Sequence, residues 1–205
     1  PSKELNSDDH ENGTTHWYYA NSKGEITIPT ADGEVGVVKT IDGKSYLFNS
    51  DGEMVTGLRI LTYDGSKITN ISSEVDTADT VKNMNSDTMK LVYFESNGAA
   101  KTGTTTITLD GTSYTFSFKS NGSPRGVGET GISDGYIYQN GLRLTADEDT
   151  KYGVVTYKNE SYVVNEKGSI QKNKKNLKDA DETYYCTNAK GILLHSSTEK
   201  CTTKH

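Results

Sequence analysis

Thr40 to Gly57 reads TIDGKSYLFNSDGEMVTG and contains the signals of one small structural unit. Asp42-Gly43 is a dipeptide that accepts positive φ, as a two-residue hairpin turn requires, and Lys44-Ser45-Tyr46-Leu47-Phe48 alternates like a half-buried strand. The alternation places Tyr46 and Phe48 on one face. Asn49-Ser50-Asp51-Gly52 is a second, longer turn closed by glycine, and Glu53-Met54-Val55-Thr56 can pair back before Gly57 ends the unit. Two short strands and two turns bury too little to fold alone. The unit needs a neighbour for its aromatic face.

The rest of the chain supplies neighbours. Pairs of aromatic or branched residues, followed by a glycine about four residues on, recur from end to end. Trp17-Tyr18-Tyr19-Ala20 leads to Gly24, Tyr46-Leu47-Phe48 to Gly52, Val92-Tyr93-Phe94 to Gly98 and Phe116-Ser117-Phe118 to Gly122. Tyr136-Ile137-Tyr138 leads to Gly141, one residue early, Tyr162-Val163-Val164 to Gly168 and Tyr184-Tyr185-Cys186-Thr187 to Gly191. Upstream stand the turn dipeptides Asn12-Gly13, Asp42-Gly43, Asp110-Gly111 and Asp134-Gly135, with Asn159-Glu160 and Asp181-Glu182 as eroded versions. The seven closing glycines are spaced by 28, 46, 24, 19, 27 and 23 residues. The doubled interval places an insertion or a degenerate copy near 62–89. A period of this size belongs to repeat architectures, so the predicted fold is all-β, an elongated, solenoid-like array of about seven β-hairpin repeats.

The unit resembles the cell-wall-binding and glucan-binding repeats of secreted proteins from Gram-positive bacteria, which include choline-binding modules, glucansucrase tails and clostridial toxin tails. Asp42 to Phe48, Gly52 to Gly57, Trp17-Tyr18-Tyr19 with Gly24, and Lys90 to Gly103 carry the resemblance, which covers most of residues 12–195. It implies a secreted or surface-located, non-catalytic module that binds a carbohydrate polymer, a wall polymer or a glucan, and serves as one part of a larger chain. Choline or teichoic acid is an alternative ligand, and a structural spacer or protein-binding adhesin arm is an alternative role. The choline-binding members use cages of Trp and Tyr with Met nearby, and Met54 stands where that Met would. A single Trp, with Tyr, Phe or Val at the other aromatic positions, departs from the cage and favours sugar.

Aromatic faces stack on the C–H face of a pyranose or take a cation. Pairs presented edge to edge by neighbouring hairpins would line repeated slots, each weak and together effective through avidity. The candidate ligand-binding residues are Trp17, Tyr18, Tyr46, Phe48, Met54, Tyr93, Phe94, Tyr114, Phe116, Tyr136, Tyr138 and Tyr162. Arg125 and Arg143 follow aromatic pairs and could donate to hydroxyls or phosphates.

Composition agrees with a chain of thin cores. Leu, Ile, Val and Phe make just under a fifth of the 205 residues, while 13 Tyr and 20 Gly accompany only 3 Pro. The net charge of −6 without a basic block argues against nucleic acid, and no apolar run suits membrane insertion. The chain starts abruptly at Pro1, which suggests an excised or mature fragment. Residues 1–13 read as a polar linker or tail, 14–195 as the repeat domain and 196–205 as a C-terminal tail. Within 62–89, Asp76, Asp79 and Asp87 lack the spacing of a calcium loop, so no metal is expected. The segment reads as a solvated insertion or extra hairpin, with a loop that builds a ligand pocket as the sharper alternative. Lys167, Lys172, Lys174, Lys175 and Lys178 form a basic cluster, read as a charged strand edge.

Cys186 and Cys201 lie fifteen positions apart around the last hairpin. A disulfide in an extracellular setting would clip the end of the array; two free thiols are the alternative, since the spacing fits no zinc or redox motif. No nucleophile elbow, phosphate loop or metal-binding His pair is present, and His10, His16, His195 and His205 are scattered. The expectation is no enzyme and no cofactor.

Overall fold

In the computed structural model, which describes residues 16–121 and 125–202, Asp42 and Gly43 both have positive φ, 48° and 77°. That is the backbone of a turn whose twist matches the strands it joins. The turn connects β1 (Gly36–Ile41) to β2 (Lys44–Asn49), which pair from Ile41↔Lys44 to Gly36↔Asn49. Asp110 and Gly111, at 45° and 76°, repeat it between β6 (Gly103–Leu109) and β7 (Thr112–Phe118). Between these hairpins lie β3 (Gly57–Asp64), β4 (Lys67–Ile71), α1 (Ala78–Asn83) and β5 (Met89–Phe94). β1 to β5 form an antiparallel sheet in the order β2-β1-β4-β3-β5. All these elements belong to the first of two units, which ends at Gly128.

The doubled glycine interval therefore holds an extra hairpin, β3–β4, together with α1, the only helix among the described residues and one that the polar reading of 62–89 did not foresee. Thr77 caps α1, its Oγ1 accepting from the Thr80 N–H at 3.3 Å. Val75, Ala78 and Val81 are buried at three-residue intervals, so the segment has an apolar side despite its charge.

The second unit starts at Glu129. It contains β8 (Gly131–Ser133), β9 (Tyr136–Gln139), β10 (Leu142–Arg143), β11 (Tyr152–Tyr157), β12 (Glu160–Asn165), β13 (Leu177–Lys178), β14 (Tyr184–Thr187) and β15 (Leu193–Ser197). Tyr157 and Glu160 are partners across the β11–β12 turn, so that turn is Lys158-Asn159, φ 49° and 63°, one residue upstream of the expected Asn159-Glu160. Gly141 comes early because Asn140-Gly141, φ 53° and 94°, is itself a two-residue turn joining β9 to β10.

Elsewhere the second strand ends in one recurring wide turn. A bridge forms six residues apart at Ala20↔Ile26, Phe48↔Met54, Phe94↔Ala100 and Val164↔Ile170, and Thr187↔Leu193 repeats it. Inside each, the residue after the first bridge member accepts from a glycine N–H three positions on: Gly24 to Asn21, Gly52 to Asn49, Gly98 to Glu95, Gly168 to Asn165 and Gly191 to Asn188. In four of the five copies that residue is Asn, whose Oδ1 accepts two further backbone N–H groups; for Asn49 these are Asp51 at 3.0 Å and Glu53 at 2.8 Å. The glycine has a second constraint besides positive φ. A Cβ at Gly98 would collide with the Met54 sulfur, and one at Gly191 with Ile170, so the bridge residue of one repeat sits on the glycine of a later one. Backbone bonds stitch the same places, Met54 N–H to Trp17 O at 2.7 Å and Ala100 N–H to Ser45 O at 2.8 Å.

The cores are small, as the composition implied. One gathers Leu47, Leu61, Ile68, Val92, Phe94 and Val127 in the first unit, and the other Ile137, Ala146, Tyr162, Val164 and Ile170 in the second. Asn12-Gly13, Gly122, His10, His205, the 1–13 tail and the last residues of the C-terminal tail lie outside the described residues. Among the described residues no helix is long and apolar enough to cross a membrane.

Cys186 and Cys201 are joined by a disulfide in the second unit, with Cα atoms 6.6 Å apart. In the same unit Asp179, itself buried, accepts from the Tyr185 phenol at 2.7 Å and from the Thr183 N–H at 2.8 Å. Burial, and then the hydrogen bond to Asp179, push the Tyr185 pKa from 10.0 up to about 12. Below pH 10 the phenol is protonated in both folded and unfolded chains, and its contribution is fully present. Between pH 10 and about 12 only the unfolded chain ionises, so stability falls as pH rises. Melting temperatures across this range should drop more steeply for the parent than for Tyr185→Phe; parallel curves would show that Tyr185 is not the responsible group.

Candidate ligand-binding faces

Alternation along β2 predicts Tyr46 and Phe48 on one face, laid on a neighbouring hairpin. The observed pattern is different: Leu47 and Phe48 are both 0% exposed, while Tyr46 is half-buried. Leu47 enters the core of the first unit, and the opposite face at Phe48 is covered by Tyr19, with ring centroids 6.3 Å apart. The end of the second strand is thus buried on both sides. The same holds at Val163-Val164, Ile137-Tyr138 and Phe116-Ser117-Phe118.

The twelve candidate residues therefore separate. Tyr18, Phe48, Phe94, Phe116, Tyr138 and Tyr162 are buried, and serve as core. Met54 is half-buried against Gly98 and lines a cavity of about 460 Å³ that His16 and Glu53 also line, with His16 Nδ1 and Glu53 Oε1 2.9 Å apart. Trp17 is 43% exposed, and Tyr46, Tyr93, Tyr114 and Tyr136 are half-buried. Tyr93 leans on Phe118 at 6.4 Å, and Phe118 on Phe116 at 6.1 Å, so a half-exposed tyrosine rests on a buried aromatic pair.

Several tyrosine faces already carry a cation from the chain itself. The Arg143 guanidinium lies 3.8 Å from the Tyr136 ring centre and 5.6 Å from that of Tyr138, and its Nη2 donates to the Tyr138 hydroxyl at 2.9 Å. The pair expected to form a slot is thus closed by the very arginine expected to reach a ligand. Tyr19 faces Lys39, Tyr152 faces Lys151, Tyr157 faces Lys158, and Tyr184 lies between Lys178 and Lys200, at 5.5 to 5.9 Å. The sequence signal was available: Arg143 stands two residues after the Asn140-Gly141 turn, where pairing Arg143↔Tyr138 puts it beside the aromatic pair. The five lysines of the basic cluster are all exposed, and Lys178 pairs with Glu182 at 2.6 Å.

No family model matches the chain, and no curated protein matches it. Solved structures do. Choline binding protein F from Streptococcus pneumoniae superposes with a TM-score of 0.52 at 21% identity, over 95% of this chain and 48% of that one. The same protein crystallised in the presence of a peptidoglycan analogue, a tetrasaccharide-pentapeptide, gives 0.51 at 21% identity over 95% and 47%. CbpJ from Streptococcus pneumoniae gives 0.51 at 19% identity over 95% and 48%. The chain spans about half the length of these structures. The likeness is one of fold: the hairpin array that the sequence resembles is the fold this chain shares with streptococcal choline-binding proteins.

Proposed function

We propose that this chain is a non-catalytic module that holds a larger secreted or surface protein on a carbohydrate polymer, either of the cell wall or a glucan. The observation that carries the reading is the set of aromatic rings left open on a hairpin-repeat fold: Trp17 at 43% exposure and half-exposed Tyr46, Tyr93 and Tyr114. An open ring on a regular scaffold offers a pyranose its stacking partner. The neighbour crystallised with a peptidoglycan analogue makes a wall polymer a natural first candidate.

Sugar is preferred to choline because a single Trp, with Tyr, Phe or Val at the other aromatic positions, departs from a cage of Trp and Tyr. The spacer reading draws on Tyr162, which is buried and donates its hydroxyl to Glu160 at 2.7 Å.

The test is a pull-down on starch, dextran, cell walls with and without teichoic acid, and choline resin, with Trp17 emission followed in parallel. Trp17 is the only tryptophan, so its emission reports one site. Retention on one polymer, reduced several-fold by Trp17→Ala and Tyr46→Ala without loss of the fold, is the expected result. Absence of retention on every polymer would overturn the reading in favour of a spacer.

A further inference from the structure

The extra hairpin contributes to a cavity of about 880 Å³ in the first unit. Its apolar wall includes Val38 from β1, which is left 36% exposed, Ile68 from β4 and the ring of Tyr63 from β3. Glu34, Asp87, Lys90 and Arg125 supply the charged groups around that wall. Tyr63 and Ile68 come from the hairpin that breaks the repeat spacing, and Asp87 and Lys90 from the stretch that follows α1. The elements that interrupt the array therefore line the cavity together with the regular β1–β2 hairpin.

The lining selects a chemical class. Two carboxylates and two cations cancel, so the cavity offers no net charge to an anion or a cation. Glu34, Asp87 and Arg125 make no side-chain hydrogen bond or ion pair among the described residues, and Lys90 spends one bond on the Ser86 carbonyl at 2.7 Å. The Tyr63 hydroxyl likewise has no partner, and burial raises its pKa, which keeps it neutral. Acceptors and donors thus both border the apolar wall. A ligand whose hydroxyls both donate and accept, and which has a C–H face, suits the carboxylates and the cations together. The volume lies in the range of about 300–1,000 Å³ typical of small-molecule sites, which suits a short saccharide rather than a polymer strand.

We propose that this cavity is a discrete binding site for a short neutral oligosaccharide. Asp87 and Glu34 accept from its hydroxyls, Lys90 and Arg125 donate to its oxygens, and its C–H face rests on Val38. The site goes beyond the polymer reading and does not rest on it, because no ring assigned to polymer contact lines the cavity.

The chain, labelled with ¹⁵N, is titrated with soluble chitotetraose, cellotetraose, maltotetraose and isomaltotetraose while amide shifts are followed. The expected result is saturable shifts at Val38, Ser66, Asp87 and Lys90 with one of the four sugars. Asp87→Asn combined with Arg125→Gln should weaken that binding about tenfold, the scale of one lost charged hydrogen bond, while leaving the rest of the spectrum in place. Trp17→Ala should leave the dissociation constant unchanged, which separates this site from the proposed polymer face. No saturable shift with any of the four sugars, shifts confined to Trp17 and Tyr46, or parental affinity in the double variant would each overturn the proposal. Tighter binding of a sulfated tetrasaccharide than of any neutral one would overturn the assignment of ligand class.

Discussion

Phe48→Ala is expected to destabilise the first unit by about 3–5 kcal/mol, the range for removing a fully buried aromatic ring. Phe48 is 0% exposed, its ring lies against Tyr19, and its backbone forms the bridge to Met54 from which the wide turn is built. Removing the ring opens a void on one face of β2 while Leu47 still anchors the other face, so the strand cannot simply collapse into the space. Domains of this size are stable by only about 5–15 kcal/mol in all, so the loss is a large share of the total. Tyr46→Ala, two residues away and half-buried, should cost about 1 kcal/mol. Urea unfolding followed by circular dichroism distinguishes the two; equal midpoints would show that Phe48 is not a core residue. The result bears directly on function, since loss of polymer retention in Phe48→Ala would report unfolding rather than a missing ligand contact.

Reducing the Cys186–Cys201 disulfide is expected to cost the second unit roughly 3 kcal/mol, the chain-entropy value for a loop of about fifteen residues. Cys186 lies in β14 and Cys201 beyond β15, so the bond closes the edge strand of the sheet β13-β14-β15. Asn176 ties the same corner, its Oδ1 accepting from the Cys201 N–H at 2.8 Å and its own N–H donating to the Cys186 sulfur at 3.2 Å. Without the bond, Cys201 is held chiefly by that single acceptor. Hydrogen exchange should accelerate first in Leu193–Ser197 and in 198–202, with β11 and β12 affected less. Unchanged melting temperature and exchange after reduction, or in the Cys186→Ser, Cys201→Ser variant, would show that the bond contributes nothing to stability.

Tyr136 and Arg143 show how fold and function separate in this chain. The pairing Arg143↔Tyr138 follows from a two-residue turn and is a local matter. That the guanidinium then settles 3.8 Å over Tyr136 depends on what lies around it, including Gly168, where a Cβ would meet the Arg143 stem at 2.8 Å. A slot that pairs of aromatics suggest can be closed by one neighbouring side chain. The insertion offers the opposite case: 62–89 reads as solvated because its polar and charged residues together outnumber its apolar ones, yet Val75, Ala78 and Val81 recur at helical spacing and are buried. A helix of six residues shows too little periodicity to stand out from a polar background.

Sequence by itself determined the hairpins, their two-residue turns at Asp42-Gly43, Asp110-Gly111 and Asp134-Gly135, and the recurrence of the glycine-closed turn. These follow from backbone conformations that only certain residues adopt cheaply, and from the two-residue period of a strand, both of which are local. Asn21, Asn49, Asn165 and Asn188, three positions before their glycines, belong with them. Tertiary structure alone decided which aromatic rings are core and which stay partly open, that Met54 rests on Gly98, and that the extra hairpin helps enclose a cavity. Exclusion of water from a side chain depends on residues distant in sequence, as Met54 and Gly98 are at 44 positions apart, and no pattern within one hairpin encodes what will cover it.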